Sequence, residues 1–172
     1  LFIGLEAIEK FKNKSLSPVE LLTETIKRIE EVNPKINAFN FFRFEDALEE
    51  AKNSELKYTK NESSKPLEGI PLAIKDEVNI TGQPNKNGSL IFKDTIAEST
   101  DIDVESLVNS GAILHARTTN PEFSLTSFCH SKVNGVTRNP WNFEMTPGGS
   151  SGGSAAALAA GCTTLATGSD IG

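Results

Sequence analysis

The sequence predicts an α/β protein, and three observations carry that expectation. Two short apolar runs of buried-strand type, GIPLAIKD (69–76) and AILHA (112–116), flank the helical stretch DIDVESLVNSG (101–111). Strand, helix, strand in that order is the pattern of an α/β unit. The N-terminal third reads as helices, with SPVE (17–20) as a helix start followed by an apolar stripe. Finally, 37% hydrophobic and 23% charged residues over 172 positions fit a globular domain with a core of its own.

Each element has a local reason. A first short helix is expected before Ser17, with Leu5, Ile8 and Phe11 as its apolar face. Ser17 is an N-cap, Pro18 suits the first helical position, and Glu20 closes a capping box. Leu22, Ile26 and Ile29 recur at i, i+4 and i+7. Asn33-Pro34 is expected to stop that helix, because proline disfavours helical geometry in the residue before it. INAFNFF (36–42) suits a strand and FEDALEEAKN (44–53) a further helix. ELKYTKNESSKP (55–66) is polar and aperiodic, which predicts a surface loop. Beyond it come the 69–76 strand, the turn-rich NITGQPNKNGS (79–89), the 101–111 helix with Gly111 past its end, and the AILHA strand.

Composition narrows the function classes. Seventeen basic against 23 acidic residues leave a net charge of −6, unlike a protein coated for nucleic acid. No apolar run approaches the ~18 residues that span a bilayer, and LFIGLEAIEKFKNK mixes charges into its apolar positions, unlike a secretory signal. Cys129 and Cys162 lack metal-ligand spacing and are read as reduced thiols of a cytoplasmic protein, with a disulfide as the alternative.

GGSSGGS (148–154) admits three readings. By composition it is a tether. Against that, it runs straight into AAALAAG (155–161), a strong helix former with a glycine placed to cap it. A phosphate loop needs a lysine after the glycines, and the last lysine, Lys132, lies upstream. GGSSG also matches the GxSxG nucleophile elbow, but that arrangement wants a histidine later in the chain, and both histidines, His115 and His130, precede it. His115, inside AILHA, reads as a core or strand-end residue.

A serine needs a base to become a nucleophile at neutral pH, and without histidine a neutral lysine is the main remaining choice. Twelve of the thirteen lysines sit in polar or amphipathic settings; Lys75 follows PLAI at the end of a buried strand. Two readings of it stand side by side: a base presented to a site, or a solvated strand-end charge paired with Asp76.

GIPLAIKD, TRNPWN, TPGGSSGGSAAALAAG and GSDIG, in this order and approximate spacing, resemble the amidase signature family of serine-dependent amide hydrolases. GAILHARTT and TTNPEF resemble the segment before the signature. The resemblance runs from about residue 15 to the end. It implies a mixed β-sheet flanked by helices and a Ser–cisSer–Lys triad without cofactor or metal. Lys75 would be the base and Ser150, after a cis peptide bond, the bridging serine. Ser151 would support the network, and Ser169 and Asp170 would hold the turn whose backbone N–H groups, in part those of Ile171 and Gly172, form the oxyanion hole. The family's attacking serine falls two positions beyond GSDIG, so the chain is expected to be the N-terminal part of a longer enzyme. A helical lead-in over 1–54 and the polar loop 55–66 would precede the signature core over 67–172. Alone it would lack the nucleophile, leave sheet edges and helix faces uncovered, and fail to fold stably.

The resemblance implies a small-molecule amide substrate, with neither membrane nor direct nucleic acid as partner. One alternative is the glutamine-amidase subunit of a tRNA-dependent amidotransferase, which would bring tRNA in. Those subunits more often read MDEF where this chain has NPEF, so Pro121 favours a stand-alone amidase. A catalytically deficient relative with a binding or assembly role is the other. Phe123, Phe128 and Met145 are read first as core residues and second as part of a substrate pocket.

Overall fold

Helix starts and stops follow local capping chemistry in the computed structural model, which describes residues 4–62 and 64–170. Helix α1 (Gly4–Lys12) buries Ala7 and Phe11. Leu5 is 76% exposed, so the apolar face is rotated away from the expected Leu5 position. Helix α2 (Pro18–Ile36) opens with the full capping box: the Ser17 hydroxyl accepts from the Glu20 N–H at 3.1 Å, and the Glu20 carboxylate accepts from the Ser17 N–H at 2.8 Å. The helix does not stop at Asn33-Pro34. Pro34 sits in its last turn, where the missing N–H removes a single bond. Asn37, in the left-handed region at φ 50°, closes the helix by donating its N–H to the Asn33 carbonyl at 2.8 Å. The first strand, β1 (Phe39–Phe42), is accordingly shorter than the 36–42 run suggested.

Helix α3 (Phe44–Thr59) continues into the stretch expected to be a loop, so residues 55–59 are helical. Its buried positions are Ala47, Ala51, Ser54 and Tyr58, a helical spacing in which two polar residues stand where apolar ones would have revealed the pattern. Tyr58 meets the Phe11 ring at 5.5 Å and donates its hydroxyl to the Glu68 carbonyl at 3.0 Å. Ser54 and Lys57 both donate to the Glu68 carboxylate, at 2.6 and 2.9 Å.

The remaining elements are β2 (Pro71–Lys75), α4 (Ile102–Asn109), β3 (Ile113–Thr118), a small hairpin of β4 (His130–Ser131) and β5 (Gly135–Val136), α5 (Gly152–Ala159) and β6 (Leu165–Ala166). The main sheet has the order β1-β3-β2-β6. Strand β1 is antiparallel to β3, while β2 is parallel to both β3 and β6, so the sheet is mixed. All five residues of β2 are buried, as a central strand covered on both faces requires. On one face Ala73 and Ala116 pack with Ala156 and Ala157 of α5 and Ile29 and Ile36 of α2. On the other, Leu72, Ile74 and Leu114 pack with Val104 of α4. The β2–β3 register slips by one residue at His115, between the pairs Leu72–Leu114 and Ala73–Ala116. That slip lets Ala116 join Ala73 against α5 and sets Thr118 opposite Lys75.

The glycine-serine stretch is packed structure. Helix α5 begins inside it, at Gly152. A side chain at Gly149 would come within 2.8 Å of the Phe128 backbone N, and one at Gly153 would overlap the backbone of Thr119. Gly153→Ala is therefore expected to destabilise the complete protein by about 1–3 kcal/mol, since two backbones cannot separate without moving α5 off the sheet. Gly82→Ala, at φ 77° with nothing within 4 Å, should cost only about 1 kcal/mol of backbone strain. Denaturant midpoints of the two variants check this; equal losses would contradict the packing argument.

Candidate active site

Three segments converge at the C-terminal end of β2. Lys75 is the last residue of that strand and lies on the α5 side, two residues after Ala73. Its side chain is 1% exposed. The Nζ atom reaches Ser150 Oγ at 2.8 Å, Ser169 Oγ at 2.6 Å and the Glu77 carboxylate at 3.2 Å. The reading of Lys75 as a solvated strand end paired with Asp76 is thus overturned. Asp76, the first residue of the turn after β2, instead meets Arg117 at 3.9 Å.

Ser150 follows a cis peptide bond from Gly149 and stands just ahead of α5. Ser151 and Ser169 are tied together: the Ser169 N–H donates to Ser151 Oγ at 3.1 Å, and Ser151 Oγ donates to the Ser169 carbonyl at 3.2 Å. Ser169 itself does more than shape a turn, because its hydroxyl touches the lysine. Asp170 is exposed beside it, and Ile171 and Gly172 lie outside the described residues. Sequence reasoning missed the polar frame behind these groups. Thr167 Oγ1 accepts from the Lys75 N–H at 2.9 Å, the Ser154 hydroxyl lies 2.7 Å from both the Thr167 carbonyl and Thr118 Oγ1, and Ser124 donates to the Glu77 carboxylate. Ser154, inside GGSSGGS, and Thr118, inside GAILHARTT, stood in stretches that the sequence pattern singles out, but neither was assigned a role there.

Charge states follow from burial and partners. Burial alone would raise Glu77, but hydrogen bonds from Ser124 and Ser169 and the charge and hydrogen bond of Lys75 outweigh it and hold the carboxyl below its ordinary value. Burial raises Asp76 against the pull of Arg117, and lowers Arg117. Arg117, fully buried, donates to the backbone carbonyls of Asp76 at 3.0 Å and Val78, pinning the turn that leaves β2. Among the described residues no cluster of His, Cys, Asp and Glu is placed to hold a metal. Both cysteines are free and buried, and no described helix is long and apolar enough to cross a membrane. Phe123, Phe128 and Met145 are 37%, 42% and 59% exposed, so none is a core residue here. Phe128 and Met145 line a surface groove of about 320 Å³ with His130 and Phe143.

The sequence model of the amidase family matches residues 20–172. The chain belongs to the amidase signature family. Among its relatives in that family, it is 43% identical over 159 residues to a glutamyl-tRNA(Gln) amidotransferase subunit of Methylacidiphilum infernorum, covering 92% of this chain and 31% of that one. To an indoleacetamide hydrolase of Bradyrhizobium diazoefficiens it is 38% identical, covering 98% and 32%. A bacterial aryl acylamidase of the amidase signature family superposes with a TM-score of 0.88 at 30% identity, covering 94% of this chain and 34% of that one. A 6-aminohexanoate cyclic dimer hydrolase gives 0.86 at 34% identity, covering 97% and 33%. The chain spans about a third of the length of these amidase signature proteins.

His115 is a core residue, as the strand pattern predicted. It is fully buried, its Nε2 lies 2.9 Å from Thr163 Oγ1, and burial holds its pKa at about 3. The unfolded chain then binds a proton that the folded one refuses between about pH 3 and 6.5. Stability from this group is complete above pH 6.5 and is lost on acidification, at about 1.4 kcal/mol per pH unit. Replacing His115 by Gln should flatten the pH dependence of unfolding between pH 6 and 4 by about that slope. An unchanged slope would count against a neutral His115.

Proposed function

We propose that the complete protein is an amidohydrolase that cleaves a carboxylic amide to an acid and ammonia or an amine through a serine acyl-enzyme. The observation that carries this reading is the contact of 2.8 Å between the buried Lys75 Nζ and the half-buried Ser150 Oγ. Such a pair can relay a proton that neither group moves alone. Lys75 in its unprotonated form accepts the proton of Ser150 while Ser150 takes that of the attacking serine, which family resemblance puts after the GSDIG segment. The serine oxygen bonds the amide carbon, and the carbonyl oxygen becomes an anion held by backbone N–H donors of that same segment. The proton returns through Ser150 to the amide nitrogen as the C–N bond breaks. Water then attacks the ester by the same relay, releasing the acid and restoring the serine hydroxyl. Ser151 and the Ser169 backbone, bonded to each other, hold Ser150 and the donor turn in register.

A second reading, the glutamine-amidase subunit of a tRNA-dependent amidotransferase, draws support from the relatives that carry such a name. It uses the same relay. Pro121 favours the stand-alone enzyme, and an indoleacetamide hydrolase also stands among the relatives. Ammonia release from glutamine only in the presence of partner subunits and tRNA would decide for the amidotransferase.

Labelling of the complete protein with a serine-directed fluorophosphonate tests the chemistry without knowledge of the substrate. Lys75→Ala and Ser150→Ala should each slow labelling by about 10²–10⁴-fold while leaving the fold intact by circular dichroism. Labelling at the wild-type rate in Lys75→Ala would remove the base assignment.

A further inference from the structure

A base that takes up a proton inside a protein becomes a buried cation, and something must compensate it. Glu77 lies two residues past Lys75, on the turn that Arg117 pins, with its side chain 20% exposed. The carboxylate oxygen that meets Lys75 Nζ at 3.2 Å also accepts the hydroxyl of Ser124. Ser124 and its neighbour Phe123 are both left-handed, at φ 57° and 52°, a conformation that non-glycine residues hold only when their surroundings enforce it. The enforcing contacts are visible. The Asn120 side-chain amide donates to Ser124 Oγ at 3.0 Å and to Asn87 Oδ1 at 3.2 Å, and the Phe123 N–H donates to the Asn87 carbonyl at 3.0 Å. Phe123 also meets Phe92 edge-on at 5.9 Å. A continuous polar run therefore leads from the lysine through Glu77 into the loops at 85–92 and 119–125.

We propose that Glu77 is the positioning residue of the Lys75 base: its carboxylate compensates the lysinium formed when Lys75 accepts a proton, and through Ser124 it clasps the Phe123–Ser124 turn to the base. This rests on the reading of Lys75 as a base. The role parallels that of any third group that orients a catalytic base and stabilises its conjugate acid. Glu77 is suited to it because it stays ionised: Ser124, Ser169 and Lys75 hold its carboxyl below the ordinary value against the effect of burial. The other charges nearby have their own relations. Asp76 and Arg117 face each other, Lys86 acts on Asp76, Asp101 acts on Arg117, and Glu122 accepts from Ser89 at 2.7 Å. Asp170 adjoins Ser169 in the chain.

The test uses the complete protein and its Glu77→Gln, Glu77→Asp and Lys75→Ala variants. The rate of fluorophosphonate labelling is followed against pH, and backbone hydrogen exchange is followed over residues 119–125. With the carboxylate neutralised, the proton on the base is held less firmly. The acidic limb of the labelling profile should move down by about one pH unit in Glu77→Gln, with a plateau at least about tenfold lower. Glu77→Asp should keep the limb near its wild-type position. Exchange over 119–125 should rise about tenfold in Glu77→Gln, with α2 and β2 unchanged. Coincident wild-type and Glu77→Gln labelling profiles would overturn the proposal. A wild-type protein that takes no label sinks the amidohydrolase reading instead. The exchange arm then decides alone, and unchanged exchange over 119–125 overturns the clasp.

Discussion

Keeping the amine of Lys75 away from water is the constraint on which the rest of the site turns. A lysine head group stripped of solvent forfeits several kcal/mol of hydration unless hydrogen-bonding partners replace the water. Those partners are Ser150, Ser169 and Glu77, from three separate segments. Bringing them together fixes the end of β2, the approach to α5 and the turn after β6 relative to one another. The same contacts that bury the amine set a serine hydroxyl 2.8 Å from it, so the packing also creates the geometry that the proposed relay needs.

Small residues make that convergence possible. Ala73 and Ala116 on the sheet meet Ala156 and Ala157 on α5, so the helix lies close to the strand that carries the lysine. Gly149 and Gly153 clear the way for the backbone at Phe128 and at Thr119. A stretch that by composition resembles a flexible tether is therefore among the most closely approached backbone in the molecule. Its glycines remove side chains where other chain segments must pass, and its serines supply the polar contacts. Arg117, on the strand beside β2, holds the turn after Lys75 by its carbonyls, which keeps Glu77 within reach of the amine.

Much of this was legible in the sequence, and the failures have physical reasons. Ser17, Pro18 and Glu20 marked the start of α2 because capping is local chemistry, and PLAI announced a central strand because both of its faces are covered. Helix α3 outruns its sequence pattern because Ser54 and Tyr58 fill inward positions with polar side chains bonded to Glu68. Pro34 misled because its effect depends on how near the helix end it stands. At the site, Lys75 stood out among the lysines by its apolar approach, and Ser150 by its glycine setting. Glu77, Ser124 and Thr167 did not. Ser124 reaches Glu77 across 47 residues of chain and Thr167 reaches Lys75 across 92, and no local pattern records such a meeting. Asp76 was the wrong partner for Lys75 because the turn after β2 sets it against Arg117 and brings Glu77 to the amine instead.

The central claim is that Lys75 and Ser150 act as one proton relay, and a double-mutant cycle in the complete protein addresses it directly. The quantity is the fluorophosphonate labelling rate, or kcat/KM once an amide substrate is in hand, for Lys75→Ala, Ser150→Ala and the double variant. Groups that work as a unit lose their effect together. The double variant should be no more than a few-fold slower than the worse single one. Losses that multiply would mean that the two residues contribute independently, and the relay would have to be abandoned.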